Sequence, residues 1–142
     1  MARRDIAICP TLGAVEAISR YRGWDGTADT APARITTKQE QMRRILRAQT
    51  PLCLGSDVGV FDHGDNAWEL ELMAEYGVTS LAVLRAATSG NAGILHLENE
   101  IGAIAQGFAA DIIAVSGNPL TDLSTLHDPT FVMQAGNIIH QP

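Results

Sequence analysis

Basic residues are scarce in this sequence, whose 142 residues include 10 lysines and arginines against 16 aspartates and glutamates. The net charge of −6 argues against nucleic acid as a partner, because phosphate binding needs clustered Lys and Arg. The one basic cluster, Arg43, Arg44 and Arg47, has helical spacing and is more typical of a solvated helix face. We therefore expect no nucleic-acid partner.

Long apolar runs are also missing. No stretch approaches the roughly 20 residues that a membrane-spanning helix needs, so the sequence predicts no membrane partner. Residues 1–5 carry a charge pair followed by only a short apolar stretch, which makes a poor signal peptide. A cytoplasmic location is favoured on these grounds, although the sequence leaves the compartment open.

Only two cysteines occur, Cys9 and Cys53, and each lies inside an apolar strand-like run. A buried free thiol is the default interpretation of a cysteine in such a run. The sequence has neither the cysteine density of a disulfide framework nor a Cys-x-x-Cys metal motif. We therefore expect both thiols to be free.

The apolar fraction of 46% and the charged fraction of 18% are those of a globular protein. Residues 6–9 and 52–54 are short apolar runs that predict two buried strands. Between them, residues 11–21 predict a short helix, and the capping-box pair Thr37 and Glu40 predicts the start of a longer one. The order strand, helix, strand predicts a right-handed crossover within a parallel sheet.

Two further helices are predicted after the second strand. Asn66 with Glu69 matches a helix start, and Gly77 matches the end of that helix. Thr79 is predicted to cap the next helix. The apolar residues of this last helix that are expected to face the core are Leu81, Leu84, Ala87 and Val83.

The pattern changes in the last third of the chain. Residues 101–104, 111–115 and 131–134 predict short strands, and glycine-containing turn sequences separate them. Such spacing is typical of hairpins rather than of strand–helix units. The sequence therefore predicts an α/β part, residues 1–97, followed by a small β part, residues 98–142.

Asp57 is the first candidate for chemistry, because it closely follows the second predicted strand. The C-terminal ends of parallel strands are where α/β folds place their active sites. Gly55 and Gly59 beside it would let the backbone approach a ligand closely. Asp also ends strands as a turn or cap residue, so the pattern alone leaves both a functional and a structural role open.

The loop after Asp57 is unusually polar and contains His63, Asp65 and Asn66. His63 could bind substrate or metal, although a lone loop histidine is more often only solvated. Asp65 and Asn66 are more simply explained as helix N-caps. The remaining histidines, none of them at a spacing that suits a metal, are His96, His127 and His140.

Several segments together resemble the amidohydrolase superfamily, nearest to its imidazolonepropionase-like and Xaa-Pro-dipeptidase-like branch. The segments that carry the resemblance are residues 9–12, 55–59, 63–70, 84–92 and 131–139. The most specific segment is residues 101–113. There Gly102, Gly107 and Asp111 keep the spacing with which the family's chain returns into its β-sandwich.

The resemblance implies an α/β fold in which residues 1–97 form the last strands and helices of a (β/α)₈ metal-dependent hydrolase barrel, strands seven and eight. Residues 98–142 would form a small β-sandwich segment. It also implies that Asp57 binds a divalent metal, usually zinc, and acts as the catalytic proton shuttle. His63 and Asn66 are the implied substrate-binding residues. The substrate would be a small amide, dipeptide or cyclic amide whose C–N bond is hydrolysed.

The remaining ligands of such a metal centre are not in the sequence. It has no His-x-His motif, and its single lysine, Lys38, falls in a predicted helix cap. A catalytic zinc needs about three protein ligands, so we expect this chain alone to bind no metal and to be inactive. Its open strand edges would need cover from a missing N-terminal part or from a homo-oligomer. The alternative is a non-catalytic remnant or interaction module that retains part of the fold.

Overall fold

The computed structural model describes residues 6–142, so the predicted features of residues 1–5 lie outside it. The helices are α1 (Leu12–Tyr21), α2 (Ala33–Arg47), α3 (Ala67–Glu75), α4 (Ser80–Arg85) and α5 (Asn91–Ile94). The strands are β1 (Ile112–Val115), β2 (Pro129–Gln134) and β3 (Asn137–His140). Single turns of other helix types lie at Ala28–Thr30, Ala86–Gly90 and Leu123–His127. No helix among residues 6–142 combines the length and apolarity needed to cross a membrane.

The two predicted N-terminal strands meet in one parallel bridge between Ile8 and Leu52. The Ile8 N–H donates to the carbonyl oxygen of Pro51 at 2.9 Å, and the Cys53 N–H donates to the carbonyl oxygen of Ile8 at 3.0 Å. The parallel direction is therefore confirmed, whereas the pairing is a single bridge rather than two full strands. Helix α1 confirms the first predicted helix almost to the residue.

Helix α2 begins at Ala33, so the prediction that Thr37 and Glu40 form its capping box is wrong. Pro32 occupies the N-cap position instead, and both predicted capping residues lie inside the helix. Glu40 pairs with arginines one turn further on rather than with the backbone. The physical reason is packing, because the helix has to include Ile35, which is completely buried.

The core lies among the helices. Its buried members are Leu12, Met42, Leu70, Leu72, Met73, Val78, Val83, Ala86 and Leu123. Thr79 caps α4 as predicted, since its hydroxyl accepts from the Ala82 N–H at 3.4 Å. The inward face of α4 differs from the prediction, because Val83 is fully buried while Leu81 is 48% exposed.

The last third of the chain forms a three-stranded antiparallel sheet in the order β1–β2–β3. Ile112 pairs with Met133, which pairs in turn with Ile138. The predicted strands at 111–115 and 131–134 are thereby confirmed. The predicted strand at 101–104 is wrong, because the chain turns there. Gly102 has φ 86° and lies so close to α5 that an added Cβ would be 2.8 Å from Cβ of Ala92.

Candidate active site around Asp57

Asp57 lies three residues beyond the Leu52–Leu54 run, at the C-terminal end of the parallel pair. Its backbone is in the left-handed region with φ 53°, a conformation that Asp tolerates better than most residues. Its side chain is exposed, and no residue within 6–142 makes a hydrogen bond or ion pair with its carboxylate. The carboxylate is therefore open to a ligand from solution.

Three contacts, here called tethers, hold residues 52–57, the strand end that carries Asp57. The first tether is a disulfide between Cys9 and Cys53. The prediction of two free thiols is wrong, because the parallel bridge at Ile8 brings the next residue of each segment together. Their Cα atoms are 4.5 Å apart, within the span that a disulfide needs. Counting cysteines gave no signal of this pairing, since it depends on the register between two segments that are far apart in the chain.

The second tether is the side chain of Asn91, which makes the two backbone hydrogen bonds at Leu54 that a neighbouring strand would make. Its Oδ1 accepts from the Leu54 N–H at 3.0 Å, and its Nδ2 donates to the Leu54 carbonyl oxygen at 2.9 Å. Asn91 follows the π-helical turn Ala86–Gly90, a feature often found near functional sites. Gly90 is required in that turn, since a Cβ would lie 2.8 Å from the Arg85 carbonyl oxygen.

The third tether joins Ser56 to Asn66, whose Oδ1 accepts from the Ser56 hydroxyl at 2.8 Å. The structure thus brings Asn66 beside the residue that precedes Asp57. Asn66 does precede α3, but its side chain makes no capping bond. His63 lies exposed on the same loop, and within residues 6–142 no hydrogen bond or ion pair joins it to Asp57 or Asn66.

Glu69 makes a long-range contact that the sequence does not predict. It was expected to help cap its own helix, α3, but both its oxygens bind the N-terminus of α1, accepting from Leu12 N–H at 2.9 Å and Gly13 N–H at 2.7 Å. The N-cap residue of α1, Thr11, provides no side-chain cap, so a carboxylate from a distant helix satisfies these donors. Glu69 is fully buried, and this burial raises its pKa although the two N–H bonds act in the opposite direction.

A second long-range contact joins the loop to the last third of the chain. His127 lies 3.1 Å from Asp65 through Nδ1 and 3.2 Å from Glu71 through Nε2. Asp65 therefore pairs with a histidine from residues 98–142, whereas Asn66 occupies the N-cap position of α3. Across residues 6–142, no group of three or more His, Cys, Asp or Glu side chains is arranged to hold a metal ion. The described residues do not make a complete metal site.

Comparisons with known proteins place this chain in one family. The amidohydrolase family matches residues 8–140. A solved Xaa-Pro dipeptidase with methionine bound in its active site is 28% identical over 94% of this chain, with a TM-score of 0.81. A prolidase candidate from Bifidobacterium longum is 27% identical over 96%, with a TM-score of 0.78. A prolidase complexed with N-methylphosphonate-L-proline is 22% identical over 96% and shares the fold with a TM-score of 0.73.

The chain spans about a third of the length of these relatives. It covers 34% of the Xaa-Pro dipeptidase and 35% of each of the two prolidase chains. No curated protein matches it. The likeness is therefore to one part of a larger hydrolase.

Proposed function

The chain belongs to the amidohydrolase family, and on that basis we propose that it is part of a metal-dependent enzyme that hydrolyses C–N bonds, with Asp57 as its catalytic carboxylate. Residues 1–97 would supply the last two strands of the (β/α)₈ barrel with their helices, and residues 98–142 a β-sandwich segment. The observation that carries the proposal is the tethered strand end. Asp57 projects from it in a left-handed conformation, a backbone state that tends to cluster at functional sites.

Asp57 would be one ligand of a zinc or other divalent ion, with the other ligands outside the described residues. One carboxylate does not make such a site, because a catalytic zinc takes about three protein ligands. When bound, the ion would supply a Lewis acid that polarises the scissile carbonyl group. This chain alone is therefore expected to bind no metal tightly.

The role of Asp57 in the reaction is proton transfer. Its carboxylate would accept the proton of the attacking water and then donate it to the leaving amine nitrogen. The open carboxylate described above supports this role, since a general base has to reach its proton without competing partners. His63 and Asn66, on the loop that follows, would contact a small amide, dipeptide or cyclic amide.

The simplest test uses the purified chain with added zinc and a Xaa-Pro dipeptide. We expect no turnover, because the ligand set is incomplete. Release of proline by the chain alone would contradict the proposed division of the site.

A chimera tests Asp57 itself. Residues 6–142 would replace the matching segment of the Xaa-Pro dipeptidase, which is 34% of that chain. In an active chimera, Asp57→Asn should lower kcat/KM by about 10²- to 10⁴-fold, the usual contribution of general acid–base catalysis. Asp62→Asn, on the same exposed loop, is the matched control and should leave kcat/KM unchanged. Equal effects of the two substitutions would remove Asp57 from the catalytic role.

A second candidate function is that of a non-catalytic interaction module. It is favoured by an open cleft of about 810 Å³ beside the Leu52 segment, lined in part by Ala7, Leu81 and Ile94. Leu81 is 48% exposed and Ile94 39% exposed. The partner would be the rest of a barrel or a second copy of the chain. A chimera that folds and retains zinc but stays inactive, together with self-association of the isolated chain in sedimentation, would favour this function.

A further inference from the structure

We infer that Cys9 and Cys53 form a reversible redox lock on the strand end that carries Asp57. One part of this inference, the catalytic importance of Asp57, rests on the proposed function. The structure itself pairs the two sulfurs, and all cysteines of the chain are used in this one cross-link. The lock would hold the last two strand segments together when oxidised and loosen them when reduced.

The position of the disulfide makes it a large part of the local connection. Between the two segments, the described backbone pairing consists of the one bridge at Ile8 and Leu52 with its two hydrogen bonds. The cross-link directly follows that bridge and closes a chain separation of 44 residues. Cross-links of long segments restrict the opened chain most. Opening of this pair should therefore be much rarer in the oxidised protein.

The disulfide also lies against the segment that leads to Asp57. A Cβ built on Gly55 would lie 3.5 Å from Cβ of Cys9 and 3.8 Å from its Sγ. Cys53 is two residues before Gly55 and four before Asp57, so the cross-link and the catalytic carboxylate share one short strand end. Reduction would remove one tether of this strand end and leave those made by Asn91 and Ser56.

The two cysteines differ in access. Cys9 is exposed, whereas Cys53 is only 4% exposed. The thiolate of a small dithiol would attack Sγ of Cys9 and form a mixed disulfide, releasing Cys53 as a thiolate that takes a proton. The second thiol of the reagent would then displace Cys9, which also becomes a thiol. The protein disulfide gains two electrons and two protons, and the dithiol becomes a cyclic disulfide.

The pairing is tested first by trypsin digestion of the full chain without reductant. Arg22 and Arg34 lie between the two cysteines, so cleavage there should leave two peptides joined until dithiothreitol separates them. Alkylation of both thiols before any reduction, even after treatment with oxidised glutathione, would overturn the inference.

The lock is tested by hydrogen exchange of the oxidised and reduced wild-type protein. Reduction should speed exchange at the Cys53 N–H by about tenfold or more, and reoxidation should restore it. The amide of Met133, in strand β2, is the internal control and should not change. Equal Cys53 exchange in both states would contradict the lock, and this result would be independent of any hydrolytic activity. In a Cys9→Ser/Cys53→Ser variant, the exchange rate at residue 53 should be the same with and without reductant. The comparison of oxidised and reduced wild type tests the lock even where this variant does not fold.

Discussion

The two parts of the chain are held together in different ways. In the α/β part, contacts join residues far apart in sequence, such as Glu69 with Leu12 and Asn91 with Leu54. In the last third, the sheet pairs strands that are consecutive in the chain, with residues 116–128 connecting β1 to β2 and residues 135–136 connecting β2 to β3. The first arrangement fixes the position of one carboxylate, whereas the second builds a local scaffold. A site needs the first kind of contact, because local pairing alone cannot bring distant segments to one point.

The same contrast appears in burial. Met73 and Leu72 are 0% and 1% exposed, whereas Ile138 and Ile139 are 52% and 63% exposed. Among residues 98–142, Leu123 alone is buried, and it packs on the helical core. Residues 98–142 therefore contribute one buried side chain to the core, and residues 12–86 contribute the other eight.

The largest effect should come from a cavity in that core. Met73→Ala should lower the free energy of unfolding by about 3 kcal/mol, because a fully buried side chain leaves an unfilled space. Chemical denaturation measures this value. The matched substitution Ile139→Ala, in the exposed β3 strand, should change it by less than about 0.5 kcal/mol. Similar decreases in the free energy of unfolding for both variants would mean that strand β3 is packed more tightly than its exposure indicates.

A smaller effect is expected at Glu69. Glu69→Gln should lower the free energy of unfolding near neutral pH by about 2 kcal/mol, because an amide has one acceptor oxygen for two buried N–H donors. Glu71→Gln is the control, since Glu71 is only partly buried and contacts His127 at the surface. A larger loss in Glu71→Gln than in Glu69→Gln would contradict the long-range cap of α1.

The pH dependence of stability should follow from the same buried carboxyl. Burial raises the pKa of Glu69 above 4.5, so the folded protein holds this proton more tightly than the unfolded chain. That contribution is fully present below pH 4.5 and is lost as the pH rises through the folded-state value. The stability gap between wild type and Glu69→Gln should therefore be larger at about pH 4 than at about pH 7. A gap that widens with rising pH would show the opposite shift.

The sequence predicted most elements whose signals are local. Thr79 was found as a cap and residues 131–134 as a strand because capping and turn preferences act over a few residues. It also predicts Asp57 as a catalytic residue, from its position after an apolar run and from the family motif around it, and this role stays a prediction. The strand expected at 101–104 failed because Gly102 had to approach α5, which apolar alternation does not encode.

The supports of the site were not predictable in the same way. The Cys9–Cys53 bond needs the register of a parallel bridge, and the Glu69 cap needs two helices packed together. Each joins residues more than forty positions apart in the chain. Residue type gave the chemistry available at these positions, but the tertiary fold chose the partners.

We expect the Leu54 amide to report whether distant side chains hold the strand end of Asp57 in place. Hydrogen exchange would be compared between wild type and Asn91→Ala. Loss of the Asn91 Oδ1 acceptor should speed exchange at Leu54 by about tenfold, while the amide of Val132 in the hairpin stays unchanged. An unchanged rate at Leu54 would contradict the tether and show that Asn91 does not hold the strand end that carries Asp57.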